Sequence, residues 1–64
     1  MKLVAALNGA SRTVKVYYDS DLAEYVAKLY VDGKHYEPAD YFTDDKGDAL
    51  GTASAMLNPT KETA

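Results

Sequence analysis

Apolar and polar residues alternate along much of the first half of this chain. This spacing predicts β-strands, because successive side chains of a strand point to opposite faces. The alternation is clearest over residues 23–31. One side of this predicted strand carries Tyr25, Ala27, Leu29 and Val31, and the other carries Glu24, Val26, Lys28 and Tyr30.

Two earlier runs also predict strands. Residues 13–18 are mostly β-branched and aromatic, which is typical of strands. Residues 3–7 are apolar but contain alanine, so a strand is favoured and a helical turn is the alternative. Asn8-Gly9 lies between the runs and predicts a type I′ hairpin turn, because both residues tolerate positive φ.

Asp32-Gly33 predicts a second hairpin turn, followed by an aromatic-rich strand over residues 35–42. Pro38 lies inside that strand and has no N–H to donate to a neighbour. We therefore expect this strand at an edge of the sheet or at a bulge.

The remaining pattern predicts a helix over residues 44–57. Thr43 is a suitable N-cap, and Asp44 and Asp45 would lie in the first turn, where the helix dipole favours negative charge. Helical spacing gives one apolar stripe of Ala49, Leu50, Ala53, Met56 and Leu57. Asn58-Pro59 predicts the end of the helix.

These elements predict an α+β fold: an antiparallel meander of three or four strands with one C-terminal helix packed on one face. Residues 1–58 would form a single domain, and residues 59–64 a flexible tail. A chain of 64 residues has a thin core.

Composition narrows the functional classes. The chain has no cysteine, which favours a reducing, cytoplasmic setting. No apolar run approaches the roughly 20 residues of a membrane span. The formal net charge is −3, so nucleic acid is not favoured as a partner, and a protein with a basic surface is expected instead.

The candidate chemistry has simpler explanations than catalysis. The acidic run of residues 40–48 lacks the ligand spacing of an EF-hand loop, and helix capping accounts for its first carboxylates. His35 is the one histidine, and no serine has an evident base partner in the sequence. We expect no metal, no cofactor and no enzymatic activity.

The six tyrosines are the most informative functional feature. If the helix covers one face of the sheet, the other face carries Val26, Tyr30, Tyr17 and either Tyr36 or Tyr41. Tyrosine is enriched in binding hot spots. The predicted partner-binding residues are Tyr17, Tyr30 and Tyr41, flanked by Asp32, Asp40, Asp44 and Asp45. The alternatives are that the rings complete a thin core or stack on nucleic-acid bases.

Gly47, Gly51 and Ala55 share one side of the predicted helix. Glycine inside a helix costs about 1 kcal/mol relative to alanine. The stripe could be a contact for a second copy in a homodimer. Alternatively, it lets the helix lie close on its own sheet, or its first turn is simply weak. The edge strand near Pro38 is another candidate contact for a homo-oligomer.

Residues 25–53 are similar in layout to the β-β-β-α arm-binding modules of tyrosine integrases, with Asp32-Gly33-Lys34 as the turn between strands. Those modules are basic and bind DNA through the sheet, whereas this stretch is acidic. Residues 25–34 and 39–46 also resemble small uncharacterised proteins of tailed bacteriophages. That resemblance implies a phage accessory protein that binds and modulates a host protein.

Overall fold

The alternating segments form an antiparallel sheet in the computed structural model, which describes residues 1–57. The strands are β1 (Lys2–Asn8), β2 (Arg12–Asp19), β3 (Glu24–Val31), β4 (Lys34–His35) and β5 (Tyr41–Thr43). A 3₁₀ turn, Glu37–Ala39, separates β4 from β5, and helix α1 spans Lys46–Leu57. The predicted α+β class, the strand at residues 3–7 and the C-terminal helix are confirmed.

The sheet has the order β1-β2-β3, and both β4 and β5 pair with the far edge of β3. The continuous strand predicted over residues 35–42 is therefore wrong. Pro38 lies in the first turn of the 3₁₀ segment, where its fixed φ is accommodated and no donor is needed. The chain leaves β3 after His35, which pairs with Tyr30, and returns at Tyr41, which pairs with Ala27.

The two predicted hairpin turns have different outcomes. Asp32 and Gly33 have φ values of 52° and 82°, as a type I′ turn requires, so this turn is confirmed. Neither Asn8 nor Gly9 has a positive φ, and the predicted type I′ turn there is wrong. Gly9 N–H instead donates to the carbonyl of Arg12 at 2.7 Å, which closes a longer loop between β1 and β2.

The helix begins later than predicted, and its N-cap is Asp45 rather than Thr43. The Asp45 carboxylate accepts hydrogen bonds from Gly47 N–H at 2.8 Å and Asp48 N–H at 3.3 Å. Its carbonyl accepts from Ala49 N–H at 3.0 Å. Thr43 ends β5, and its hydroxyl accepts from Asp45 N–H at 3.2 Å. The first turn therefore follows Asp44 and Asp45 instead of containing them.

The core lies between α1 and one face of the sheet. Its buried members are Val14, Val16, Ala27, Leu29, Ala49 and Ala53. Three of these are alanines, whose small side chains let the helix lie close to β3. The Arg12 guanidinium donates to the carbonyl of Met56 at 2.9 Å and so joins the start of β2 to the last turn of α1. The predicted helix stop at Asn58-Pro59 and the predicted tail of residues 59–64 lie outside the described residues.

Candidate interaction surface

The side of the sheet opposite α1, here called the open face, is identified by strand pairing. Because Val14, Val16, Ala27 and Leu29 pack against the helix, the residues that alternate with them face away from it. The open face comprises Leu3, Ala6, Asn8, Thr13, Lys15, Tyr17, Asp19, Glu24, Val26, Lys28, Tyr30, His35 and Phe42. These side chains form rows that run across the strands.

One row is apolar over the whole width of the sheet. Leu3 pairs with Tyr17, Tyr17 with Val26, and Val26 with Phe42. The centre of this apolar row is buried and its ends are exposed: Val26 is 2% exposed, whereas Leu3 is 51% and Phe42 57% exposed. Half of each end residue therefore remains available to a partner.

Two lysines lie beside the apolar row. Lys15 of β2 pairs with Lys28 of β3, and we call this pair the lysine row. The Lys15 ammonium lies 5.2 Å from the ring centroid of Tyr30, and the Lys28 ammonium lies 5.7 Å from that of Tyr17. Each cation is thus within reach of the negative face of an aromatic ring. This side of the apolar row is basic although the chain as a whole is acidic.

Two carboxylates lie on the other side of the apolar row. Asp19 pairs with Glu24, and we call this pair the acidic row. The Asp19 carboxylate also accepts a hydrogen bond from Asp21 N–H at 3.0 Å, which shapes the turn between β2 and β3. Along both central strands the order is therefore basic, apolar, acidic.

A corner of the open face brings together three polar rings and a carboxylate. The rings of Tyr30 and His35 lie 5.3 Å apart, and His35 Nε2 lies 2.8 Å from Asp40 Oδ1. Partial burial, followed by the nearby Tyr17 hydroxyl, raises the pKa of Tyr30. Asp40 therefore lies at this corner, as predicted for a flanking acid, with His35 as its neighbour.

The predicted tyrosines divide between the two faces. Tyr17 and Tyr30 lie on the open face, but the placement of Tyr41 there is wrong. Tyr41 pairs with Ala27 on the helix side, and its hydroxyl donates to Asp48 Oδ2 at 2.7 Å. That hydrogen bond raises the pKa of Tyr41. Because the chain breaks at the 3₁₀ turn, Phe42 takes the position on the open face that the sequence assigned to a tyrosine.

The other three tyrosines lie in different surroundings. Tyr18 and Tyr25 pair across β2 and β3, with ring centroids 4.8 Å apart, and Tyr25 packs against the core. Tyr25 therefore fits the alternative in which a tyrosine ring completes the thin core. Tyr36 lies before the 3₁₀ turn and is exposed.

The four aspartates that were predicted to flank the tyrosines do not form one cluster. Asp32 follows the end of β3, whereas Asp44 follows Thr43, which pairs with Tyr25 near the start of β3. Roughly 20 Å of strand therefore separates them. Asp45 belongs to the helix start, where it caps α1. These aspartates are therefore spread over the molecule, because the hairpin and the helix begin at opposite ends of β3.

The small residues of α1 face solvent. Gly47, Gly51 and Ala55 are exposed, and a Cβ added at Gly51 would meet nothing within 4 Å. The explanation that these glycines let the helix approach its own sheet is wrong for Gly51. The contact for a second copy through this stripe stays a prediction.

Two negative findings apply to residues 1–57. No helix there is long and apolar enough to cross a membrane. No group of three or more His, Cys, Asp or Glu side chains in that range could hold a metal ion. The absence of catalysis and of a cofactor stays a prediction. No known protein family, curated protein or solved structure matches this chain.

Proposed function

We propose that this chain is a small protein-binding module and that the open face is its docking surface. The observation that carries the proposal is the apolar row, which crosses the sheet on a face that α1 does not cover. Leu3 and Phe42 are both more than half exposed there. Apolar side chains grouped in this way on a small domain are typical of interaction sites.

The charges beside the row describe the partner. The lysine row and the acidic row lie on opposite sides of the apolar residues. A uniformly basic partner, as the net charge of −3 suggested, would complement the acidic row and be repelled by Lys15 and Lys28. The expected partner surface is apolar at its centre with charges of both signs.

The phage setting implied by the sequence resemblance adds one expectation. If the chain is a phage accessory protein, its partner is a host protein of the bacterial cytoplasm. Occupying part of that protein's surface is then sufficient for modulation, because the proposal requires no reaction from this chain.

The test compares two substitutions that introduce the same charge on opposite sides of the molecule. Leu3→Asp places a carboxylate on the open face, and Gly51→Asp places one on the outer side of α1, where there is room for a side chain. Tagged wild type and both variants are used to isolate partners from a host lysate in which an untagged copy of the chain is co-expressed. Bound proteins are quantified by mass spectrometry, and folding is checked by circular dichroism.

We expect a stoichiometric partner that Gly51→Asp retains and Leu3→Asp binds at least about tenfold more weakly, because burying half a leucine contributes roughly 1 kcal/mol and an unpaired charge costs more. Phe42→Asp should behave as Leu3→Asp does. A partner that both open-face variants retain, or the absence of any partner, would contradict the proposal.

A second candidate function is the binding of single-stranded nucleic acid. The observation that favours it is the interleaving of Lys15 and Lys28 with the rings of Tyr17 and Tyr30, since such binding combines cations with stacking rings. The acidic row and the net negative charge oppose it.

Fluorescence anisotropy of a labelled oligothymidine distinguishes this candidate. It predicts binding that weakens steeply with salt and is lost in the Lys15→Gln, Lys28→Gln double variant. No binding at low ionic strength would exclude it.

A further inference from the structure

We infer that the partner of the open face is a second copy of this chain, packed sheet against sheet about a two-fold axis that runs along the apolar row. This inference rests on the proposed function, because it names the occupant of the same surface.

The order of charge along the two central strands supports this arrangement. On β2, Lys15, Tyr17 and Asp19 follow at intervals of two residues, and on β3 the facing residues are Lys28, Val26 and Glu24. Alternate residues share a face and lie about 7 Å apart along a strand. The lysine row and the acidic row are therefore equally distant from the apolar row, on opposite sides of it.

Each charged row places two like charges opposite each other. Lys15 lies opposite Lys28, and Asp19 lies opposite Glu24. Like charges that face each other across two strands are unfavourable. In the described part of the chain, the one ion pair within 4.0 Å joins His35 and Asp40. Lys15, Lys28, Asp19 and Glu24 therefore have no opposite charge at that distance within residues 1–57. Within residues 1–57, neither row is therefore neutralised by an ion pair.

A two-fold rotation about the apolar row removes both mismatches. It reverses the strand direction, so that the lysine row of one copy lies over the acidic row of the other. Lys15 then faces Asp19 of the second copy, and Lys28 faces its Glu24, each pair occurring twice by symmetry. An axis parallel to the strands would instead place lysines over lysines. The charge order therefore selects one of the two face-to-face arrangements.

The area available is sufficient for a reversible dimer. Strands of eight residues are about 26 Å long, and β1, β2, β3 and β5 side by side span about 19 Å. The face then offers about 500 Å² per copy, or about 1,000 Å² in total, near the lower limit of specific interfaces. Two sheets in contact would lie about 10 Å apart, with their strands crossing at about 30°. The apolar rows would form the centre of the interface.

Charge reversal tests this arrangement. One variant carries Lys15→Glu and Lys28→Glu, which makes both charged rows acidic. The other carries Asp19→Lys and Glu24→Lys, which makes both basic. We expect wild type to show a reversible monomer–dimer equilibrium in sedimentation, with Gly51→Asp unchanged. Each charge variant alone should associate at least about tenfold more weakly, whereas an equimolar mixture should recover wild-type association as a heterodimer in native mass spectrometry.

A cross-linking measurement on wild type keeps the test independent of how the variants fold. A carbodiimide joins lysine to carboxylate without a spacer, and mixing ¹⁴N and ¹⁵N copies identifies links between chains. The expected interchain links are Lys15 to Asp19 and Lys28 to Glu24.

Three results would overturn the inference: wild type that stays monomeric at every concentration, variants that dimerise as well as wild type, or a dimer with other interchain links. If Gly51→Asp rather than the charge variants abolishes association, the small-residue side of α1 is the contact. The proposed function has its own criterion, the loss of a partner in Leu3→Asp, so a monomeric wild type that still binds a host protein would refute only the self-association.

Discussion

At the scale of single residues, Tyr41 shows how one hydroxyl can join two elements. Its hydrogen bond to Asp48 connects the short strand β5 to the first turn of α1. Hydrogen bonding to the Asp48 carboxylate, together with its negative charge, favours the neutral phenol, so the pKa of Tyr41 lies above its usual 10.0. The side chain that the sequence assigned to partner binding thus also links two elements of the fold.

The raised pKa has a predictable effect on stability. A group whose pKa is higher in the folded state contributes stability that is fully present below its unfolded pKa and is lost as pH rises through the folded value. We expect wild type to lose thermal stability above about pH 10, and Tyr41→Phe to be less stable than wild type at neutral pH with a smaller loss at alkaline pH. Circular dichroism melts at about pH 8 and about pH 11 measure this, with Tyr36→Phe as the control. Equal alkaline losses in wild type and Tyr41→Phe would contradict it.

Asp45 has an equally local role as the N-cap of α1. Asp45→Ala removes the acceptor for two backbone N–H groups and should lower the free energy of unfolding by about 1 kcal/mol. Asp44→Ala is the matched control, because it removes the same charge from the neighbouring position. Urea unfolding measures both variants. If Asp44→Ala costs as much as Asp45→Ala, charge near the helix dipole and not the cap accounts for the loss.

At the scale of elements, the glycines of this chain have opposite roles. Gly33 has a φ of 82° in the turn between β3 and β4, whereas Gly51 lies in the middle of α1 with open space around it. Gly51→Ala should therefore raise the free energy of unfolding by about 1 kcal/mol, because alanine is the better helix former. Gly33→Ala should lower it by a similar amount, because a side chain is strained at positive φ. Urea midpoints for the two variants that shift in the same direction would contradict this assignment.

The edge of the sheet illustrates how an interruption redirects a strand. Pro38 breaks the segment that follows the Asp32-Gly33 turn, and β4 and β5 pair separately with β3. The break changes which residues face the helix: Tyr41 lies on the helix side and Phe42 on the open face. The position on the open face where the alternation predicted a tyrosine is therefore occupied by Phe42, which has no polar group.

At the scale of the whole molecule, one side of the sheet packs against α1, and the other side is the surface proposed for binding. The six buried apolar residues between α1 and the sheet form a thin core, so folding of the monomer leaves little margin. Covering the open face with a second copy would add apolar burial that a monomer of this size cannot supply.

Self-association makes stability depend on concentration. If two copies pack through the open face, the melting temperature of wild type should rise with protein concentration, because mass action favours the folded dimer. The Lys15→Glu, Lys28→Glu variant should melt at a temperature independent of concentration. Scanning calorimetry over a tenfold range of concentration measures both. A wild-type melting temperature that does not change would count against the dimer.

Local patterns in the sequence predicted much of the architecture. Period-two alternation located β3, β-branched and aromatic content located β2, and an apolar run favoured a strand at β1. The Asp32-Gly33 pair located a turn, and helical spacing located α1. These signals are local because a strand face, a positive φ and a helix stripe each depend on residues a few positions apart.

Local patterns in the sequence did not predict the residues at the ends of the apolar row. A register shift between Leu3 and Ala5 turns Leu3 to the open face, although strict alternation would place both residues on one side. The 3₁₀ turn at Pro38 does the same for Phe42. The charged rows likewise appear only when β2 and β3 are paired. Which side chains form this surface depends on register across strands, and register is a property of the assembled sheet because one displaced residue exchanges its two faces.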